Sequence, residues 1–157
     1  MRALLSILLL LGASVAQACS CVPYDIDEAF KKYDMVFRGT VGKIGGKYVW
    51  EEGVWWPRKL SRVKLNVSRV YKSEVGEEIT VYTERYTESC GFPFQKNTEY
   101  VVFAYIGTEE AASHGVAVAG KPMVSGCSPT IHFQEGESYY EEERLSVVNY
   151  LESEFGS

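Results

Sequence analysis

The chain has 157 residues, with 16 Lys and Arg against 21 Asp and Glu and a formal net charge of −5. That acidic balance argues against nucleic acid or an anionic membrane as the partner. No apolar run reaches the roughly 18 residues of a membrane-spanning helix, and the length fits one domain with a sizeable core.

Residues 1–18 read as a secretory signal. Arg2 supplies the basic start, Leu4 to Leu11 the short apolar stretch, and Ala16-Gln17-Ala18 the cleavage site. Cleavage there leaves 19–157 as a single exported domain, extracellular or periplasmic, whose first residue is Cys19 with a free α-amino group. All four cysteines, Cys19, Cys21, Cys90 and Cys127, fall in that domain. An even count in an exported chain implies two disulfides. Pairing Cys19 with Cys21 is disfavoured by bond geometry. Each N-terminal cysteine is therefore expected to join a distant one, closing loops of about 70–110 residues, each stabilising by about 4–5 kcal/mol through lost unfolded-chain entropy.

Asp25 with Glu28 makes a cap-like start for a short helix to Tyr33, with Ile26, Ala29, Phe30 and Tyr33 on one face. Met35 to Ile44 is β-branched and aromatic and predicts a strand, which Gly45-Gly46 should break. Lys47 to Pro57 predicts a hairpin tip or long loop. Its aromatic group, Tyr48, Trp50, Trp55 and Trp56, reads either as packing at the end of a barrel or as an exposed lip. Val63 to Tyr71 alternates at period two and predicts a half-buried strand, followed by another over Glu78 to Thr83.

Glu84 to Lys96 is a connector holding Cys90. Tyr100 to Ile106 is a continuous apolar run and predicts the central strand. Gly115 to Val118 and Lys121 to Val124 predict a shorter pair of strands. In the tail, Ser138 with Glu141 forms a capping box, and Leu145, Val148, Leu151 and Phe155 recur at helical spacing. About five strands, a short first helix and a long last one suggest a small barrel with flanking helices.

Chemistry narrows to the N-terminus. His114 and His132 are the only histidines and read as loop or surface residues; there is no H-E-x-x-H and no G-x-S-x-G. An enzyme is therefore the weaker class. Cys19-Ser20-Cys21 reads first as a disulfide staple. A redox C-x-C would need an accessible thiol of low pKa, and no basic cluster adjoins it. A third reading is chelation: a neutral α-amine and the carbonyl of the same residue close a five-membered ring on a metal, and an amine pKa near 8 allows deprotonation at modest cost. Such a group could occupy the open position of a catalytic zinc in another protein.

Cys19-Ser20-Cys21-Val22-Pro23, directly after a cleavage site, resembles the mature start of the tissue inhibitors of metalloproteinases. The similarity continues through Glu28-Ala29-Phe30, Asp34 to Gly39, Ser68 to Lys72, Glu88-Ser89-Cys90-Gly91 and Cys127. It covers most of 19–157 but only that family's N-terminal, netrin-like domain. The resemblance implies a mainly β fold, a five-stranded OB-fold-like barrel with a short N-terminal and a longer C-terminal helix. It implies the disulfides Cys19–Cys90 and Cys21–Cys127, and a protease-binding ridge of Cys19, Ser20, Cys21, Val22 and Ser89. Cys19 would bind the zinc of a metalloendopeptidase, so the chain needs no cofactor of its own.

Further expectations are a monomer with a protein partner, no nucleic acid, and no membrane unless Cys19 carries lipid. The chain departs from animal members in lacking a further cysteine pair in this domain, with Lys31 at one of those positions, and no second cysteine-rich domain is expected. Its connector before Cys90 is one residue shorter. The alternative function is a disulfide-stapled, netrin-like binding or adhesion module without inhibitory activity.

Overall fold

The computed structural model describes residues 21–85, 87–133 and 141–155. The elements are α1 (Ile26–Lys32), β1 (Met35–Val49), β2 (Arg58–Lys72), β3 (Glu78–Thr83), β4 (Glu99–Ile106), α2 (Glu109–Ser113), β5 (Pro122–Met123), β6 (Ile131–His132) and α3 (Glu141–Phe155), with a 3-10 turn over Thr87–Ser89. The fold is mainly β, a six-stranded sheet with a short N-terminal and a longer C-terminal helix. The sixth strand, β6, and the helix α2 were not expected.

Helix α1 begins where the sequence places it. The Asp25 carboxylate accepts the amide protons of Asp27 and Glu28, satisfying two of the donors that a helix start leaves open. Strand β1 does not break at Gly45-Gly46. It runs on to Val49, paired with β2 from Val36↔Lys72 to Val49↔Arg58. Packing leaves both positions undemanding: a Cβ on Gly46 would displace only the flexible end of Lys59, and one on Gly45 would meet Arg62 in ordinary contact at 3.8 Å. Cross-strand pairing thus outweighs the glycines' weak local preference against strand.

The sheet order is β1-β2-β3-β5-β4-β6, and β4 also pairs with β1 over Met35↔Ala104 to Thr40↔Glu99. Bulges at Val36/Phe37, Arg38/Gly39 and Val41/Lys43 bend β1 so that its first half serves both β2 and β4. Its second half pairs with β2 alone, while β2 keeps β3 on its other side from Ser61 to Asn66.

Strand β4 is central, as its sequence predicts. Tyr100, Val102 and Ala104 enter a core with Phe37, Val41, Val63, Leu65 and Val81 on one face. Val101 and Phe103 enter a second core on the other face, beneath α1 and α3, with Val36, Tyr71, Val147 and Leu151. Burial on both faces is why the run is continuously apolar rather than alternating.

Two expectations are corrected. Gly115 to Val118 is a turn after α2, and only Pro122–Met123 of the second segment is strand. On α3 the buried residues are Arg144, Val147 and Leu151, while Leu145 is 43% exposed. The helix is rolled so that Arg144 faces inward, hydrogen-bonded to Glu141 and to the Phe133 carbonyl. Ser138, the expected cap, lies outside the described residues. No described helix is long and apolar enough to cross a membrane.

Candidate functional site

Cys19 and Ser20 lie outside the described residues; Cys21, Val22, Ser89, Cys90 and Cys127 lie within them. Cys21 is disulfide-bonded to Cys127, with 5.2 Å between their Cα atoms and 106 residues between them in sequence. Cys90 is disulfide-bonded too, and no described cysteine is free.

The segment after Cys21 is held at both ends. Behind it, Tyr24 is hydrogen-bonded to the Glu143 carboxylate on α3, and Asp25 caps α1. Burial, and then that hydrogen bond, pushes the Tyr24 hydroxyl well above its ordinary pKa, so it remains a proton donor. Val22 and Pro23, between the two anchors, stand in solvent, Val22 at 82% exposure.

The stretch around Cys127 brings the connector to the same place. The Gly126 amide donates to the Cys90 carbonyl at 2.7 Å, and Gly91 bridges Ser125 in antiparallel fashion. Gly126 is required by closeness: a Cβ there would lie 2.9 Å from the Gly91 oxygen and 3.3 Å from that of Cys90. Cys90 itself is left-handed, at φ 63°, a conformation that L-residues other than glycine adopt at a cost of about 1–2 kcal/mol. Ser128 and Thr130 are buried, and the Thr130 hydroxyl accepts the amide of Phe103 on β4 at 2.9 Å. The strip 125–130 is therefore fixed to the central strand, and it carries Cys21 by a disulfide and Cys90 by hydrogen bonds.

Ser89 ends the 3-10 turn before Cys90 and is half-buried. Its hydroxyl donates to the Glu84 carboxylate, which also faces Arg58. Burial raises the Glu84 pKa, and the guanidinium and the hydroxyl offset this only in part. A recess of about 200 Å³ beside Ser89 is lined by Glu84, Tyr105, Met123 and Ser125. A larger cleft of about 530 Å³ lies behind the Cys21–Cys127 bond, lined by Tyr24, Phe92, His132 and Arg144 among others. The His132 ring lies tilted against Tyr100, with 4.6 Å between centroids, and partial burial lowers its pKa. His114 ends α2 and is exposed. Among the described residues, no three His, Cys, Asp or Glu side chains are grouped so as to hold a metal ion.

The aromatic group is not barrel-end packing. Trp50, Trp55 and Trp56 are 64, 91 and 71% exposed, so the lip reading is the one that fits. Tyr24, Glu84 and Gly126 were not singled out from the sequence. Only Gly126 carried a signal, as a glycine beside a disulfide cysteine. No protein-family model matches the chain, and no curated protein matches it.

Proposed function

We propose that the protein is an exported inhibitor of zinc metalloendopeptidases, built on the netrin-like OB-fold of the N-terminal domain of the tissue inhibitors of metalloproteinases. The observation that carries this reading is Cys19-Ser20-Cys21 directly after Ala16-Gln17-Ala18, which we read as a cleavage site, with Cys21 fastened to Cys127 and the Cys90 connector hydrogen-bonded to that same strip. In this reading Cys90 pairs with Cys19. The return of strand pairing from β4 to β1 supports a closed five-stranded barrel of β1, β2, β3, β5 and β4, with β6 as an added edge.

The mechanism follows from Cys19. Its neutral amine nitrogen and its carbonyl oxygen would ligate the protease's zinc together, in place of the water bound there. In this reading Ser20 would enter the protease's specificity pocket, Cys21 and Val22 would continue the wedge, and Ser89 would contribute from the connector that holds Cys90. Two disulfides hold both segments before the protease arrives, so little ordering entropy is lost on docking.

Adding one alanine before Cys19, or acetylating its amine, should abolish inhibition and leave thermal unfolding unchanged. Equal inhibition by the extended protein overturns chelation. A chain with a free Cys19 amine that inhibits no member of a panel of zinc endopeptidases overturns the inhibitor reading and leaves the netrin-like binding module.

A further inference from the structure

All three tryptophans of the chain sit at one place, the turn between β1 and β2, and Tyr48 beside them is 59% exposed. Transfer of such side chains from water is among the most favourable available, so four exposed aromatics on one tip mark a contact surface. The tip is also rigidly placed. The Glu52 amide donates to the Ser113 carbonyl at 3.0 Å, and Arg58 is paired with Glu84 at 3.2 Å. Glu51 packs beside Gly115, where a Cβ would lie 3.2 Å from the Glu51 Cβ.

Behind the aromatics the hairpin is basic. Residues 43–64 carry Lys43, Lys47, Arg58, Lys59, Arg62 and Lys64 against Glu51 and Glu52, in a chain whose net charge is −5. Glu84 and Glu78 compensate Arg58 and Lys64. Lys43, Lys47, Lys59 and Arg62 form no ion pair among the described residues. Lys59 instead holds its ammonium 5.4 Å over the Tyr48 ring. Lys47 in β1 and Lys59 in β2 stand three positions back from Trp50 and Trp56 in the turn. The acidity of the whole chain conceals this local reversal of sign.

We propose that the hairpin docks on an anionic lipid bilayer, with Trp50, Trp55 and Trp56 at headgroup level and Lys47, Lys59 and Arg62 against lipid phosphates and carboxylates. Tryptophan and tyrosine favour the membrane–water interface, where the ring is apolar and its polar edge stays wet. An exposed aromatic tip suits a fluid surface that closes around it; a rigid partner would need a matching hollow for Trp55, which is 91% exposed. The acidic remainder of the molecule is repelled by the same surface and holds the tip downward. The proposal rests on the hairpin alone and is independent of Cys19.

The test uses the whole oxidised protein with phosphatidylcholine vesicles, with and without phosphatidylserine, read by co-sedimentation and tryptophan emission. Emission reports the tip alone, since no tryptophan lies elsewhere. Binding with a blue shift should appear only with phosphatidylserine and be reversed by high salt. Trp55→Ser with Trp56→Ser should abolish the shift. Lys47→Glu with Lys59→Glu should weaken binding more than about tenfold, each basic group being worth roughly fivefold at such a surface. Unchanged thermal unfolding would show both variants folded. Absence of binding, or binding with unshifted emission, overturns the proposal. A blue shift that grows with protein concentration without vesicles also overturns it and assigns the tip to a second copy of the chain.

Discussion

Arg58 and Glu84 tie the root of the tryptophan hairpin to the connector that carries Ser89. One guanidinium nitrogen lies 3.2 and 3.3 Å from the two carboxylate oxygens, and Ser89 donates to the same carboxylate. Burial nevertheless dominates, and the Glu84 pKa is raised above its ordinary 4.5. A carboxyl whose folded pKa is raised contributes stability that is present below the unfolded pKa and lost as pH rises through the folded one. Glu84→Gln should remove that dependence. Thermal unfolding of the two proteins across the acidic range should show the variant gaining on the wild type as pH rises. A gap that does not change with pH would mean the carboxylate is solvated.

The Cys21–Cys127 bond should be the largest single contributor to stability in the described residues. It closes a loop of 106 residues and so removes more unfolded-chain entropy than any local contact. Replacing both cysteines by serine should cost about 4–5 kcal/mol in denaturant unfolding. The paired replacement leaves Cys19 and Cys90 with no odd thiol for exchange. A loss under about 1 kcal/mol would mean that the unfolded chain is already held compact by other contacts.

Much of the fold was legible because single elements announced themselves. Asp25 caps α1 as read, Glu78 to Thr83 is a strand end to end, and the apolar run of β4 is buried on both faces. What was not legible depends on partners distant in sequence. Gly45-Gly46 reads as a breaker until its pairing with Arg62 and Ser61 of β2 is seen. Helix α2 is five residues capped by Thr108, too short for a period to show. In the candidate site, the number of disulfides follows from counting cysteines. The Tyr24–Glu143 contact spans 119 residues and no local pattern encodes it.

The roll of α3 gives a test of that difference. Apolar spacing placed Leu145 and Leu151 on one face, whereas Leu151 is buried to 1% exposure and Leu145 stands out. Leu151 packs with Val147 over Val36, Val101 and Phe103. Leu151→Ala should therefore cost about 2–5 kcal/mol, the range for a buried leucine, and Leu145→Ala under about 0.5 kcal/mol. Equal losses in thermal unfolding would restore the face that the sequence suggested.

Gly126 offers the sharpest link between packing and the proposed ridge. A methyl group there meets the backbone oxygens of Gly91 and Cys90 at 2.9 and 3.3 Å, and neither can turn aside as a side chain would. Gly126→Ala should push the Cys90 connector away from the strip that holds Cys21, at a cost of about 1–3 kcal/mol. Gly120 is the control. It has φ 65° with nothing near its would-be Cβ, so Gly120→Ala strains the backbone by about 1–2 kcal/mol without touching the ridge. Comparable stability losses are expected from the two, but only Gly126→Ala should weaken protease inhibition, by roughly tenfold if docking loses about 1.4 kcal/mol. Equal inhibition by both variants would mean that the Cys90 connector does not contribute to the docking surface, and Ser89 would leave the ridge with it.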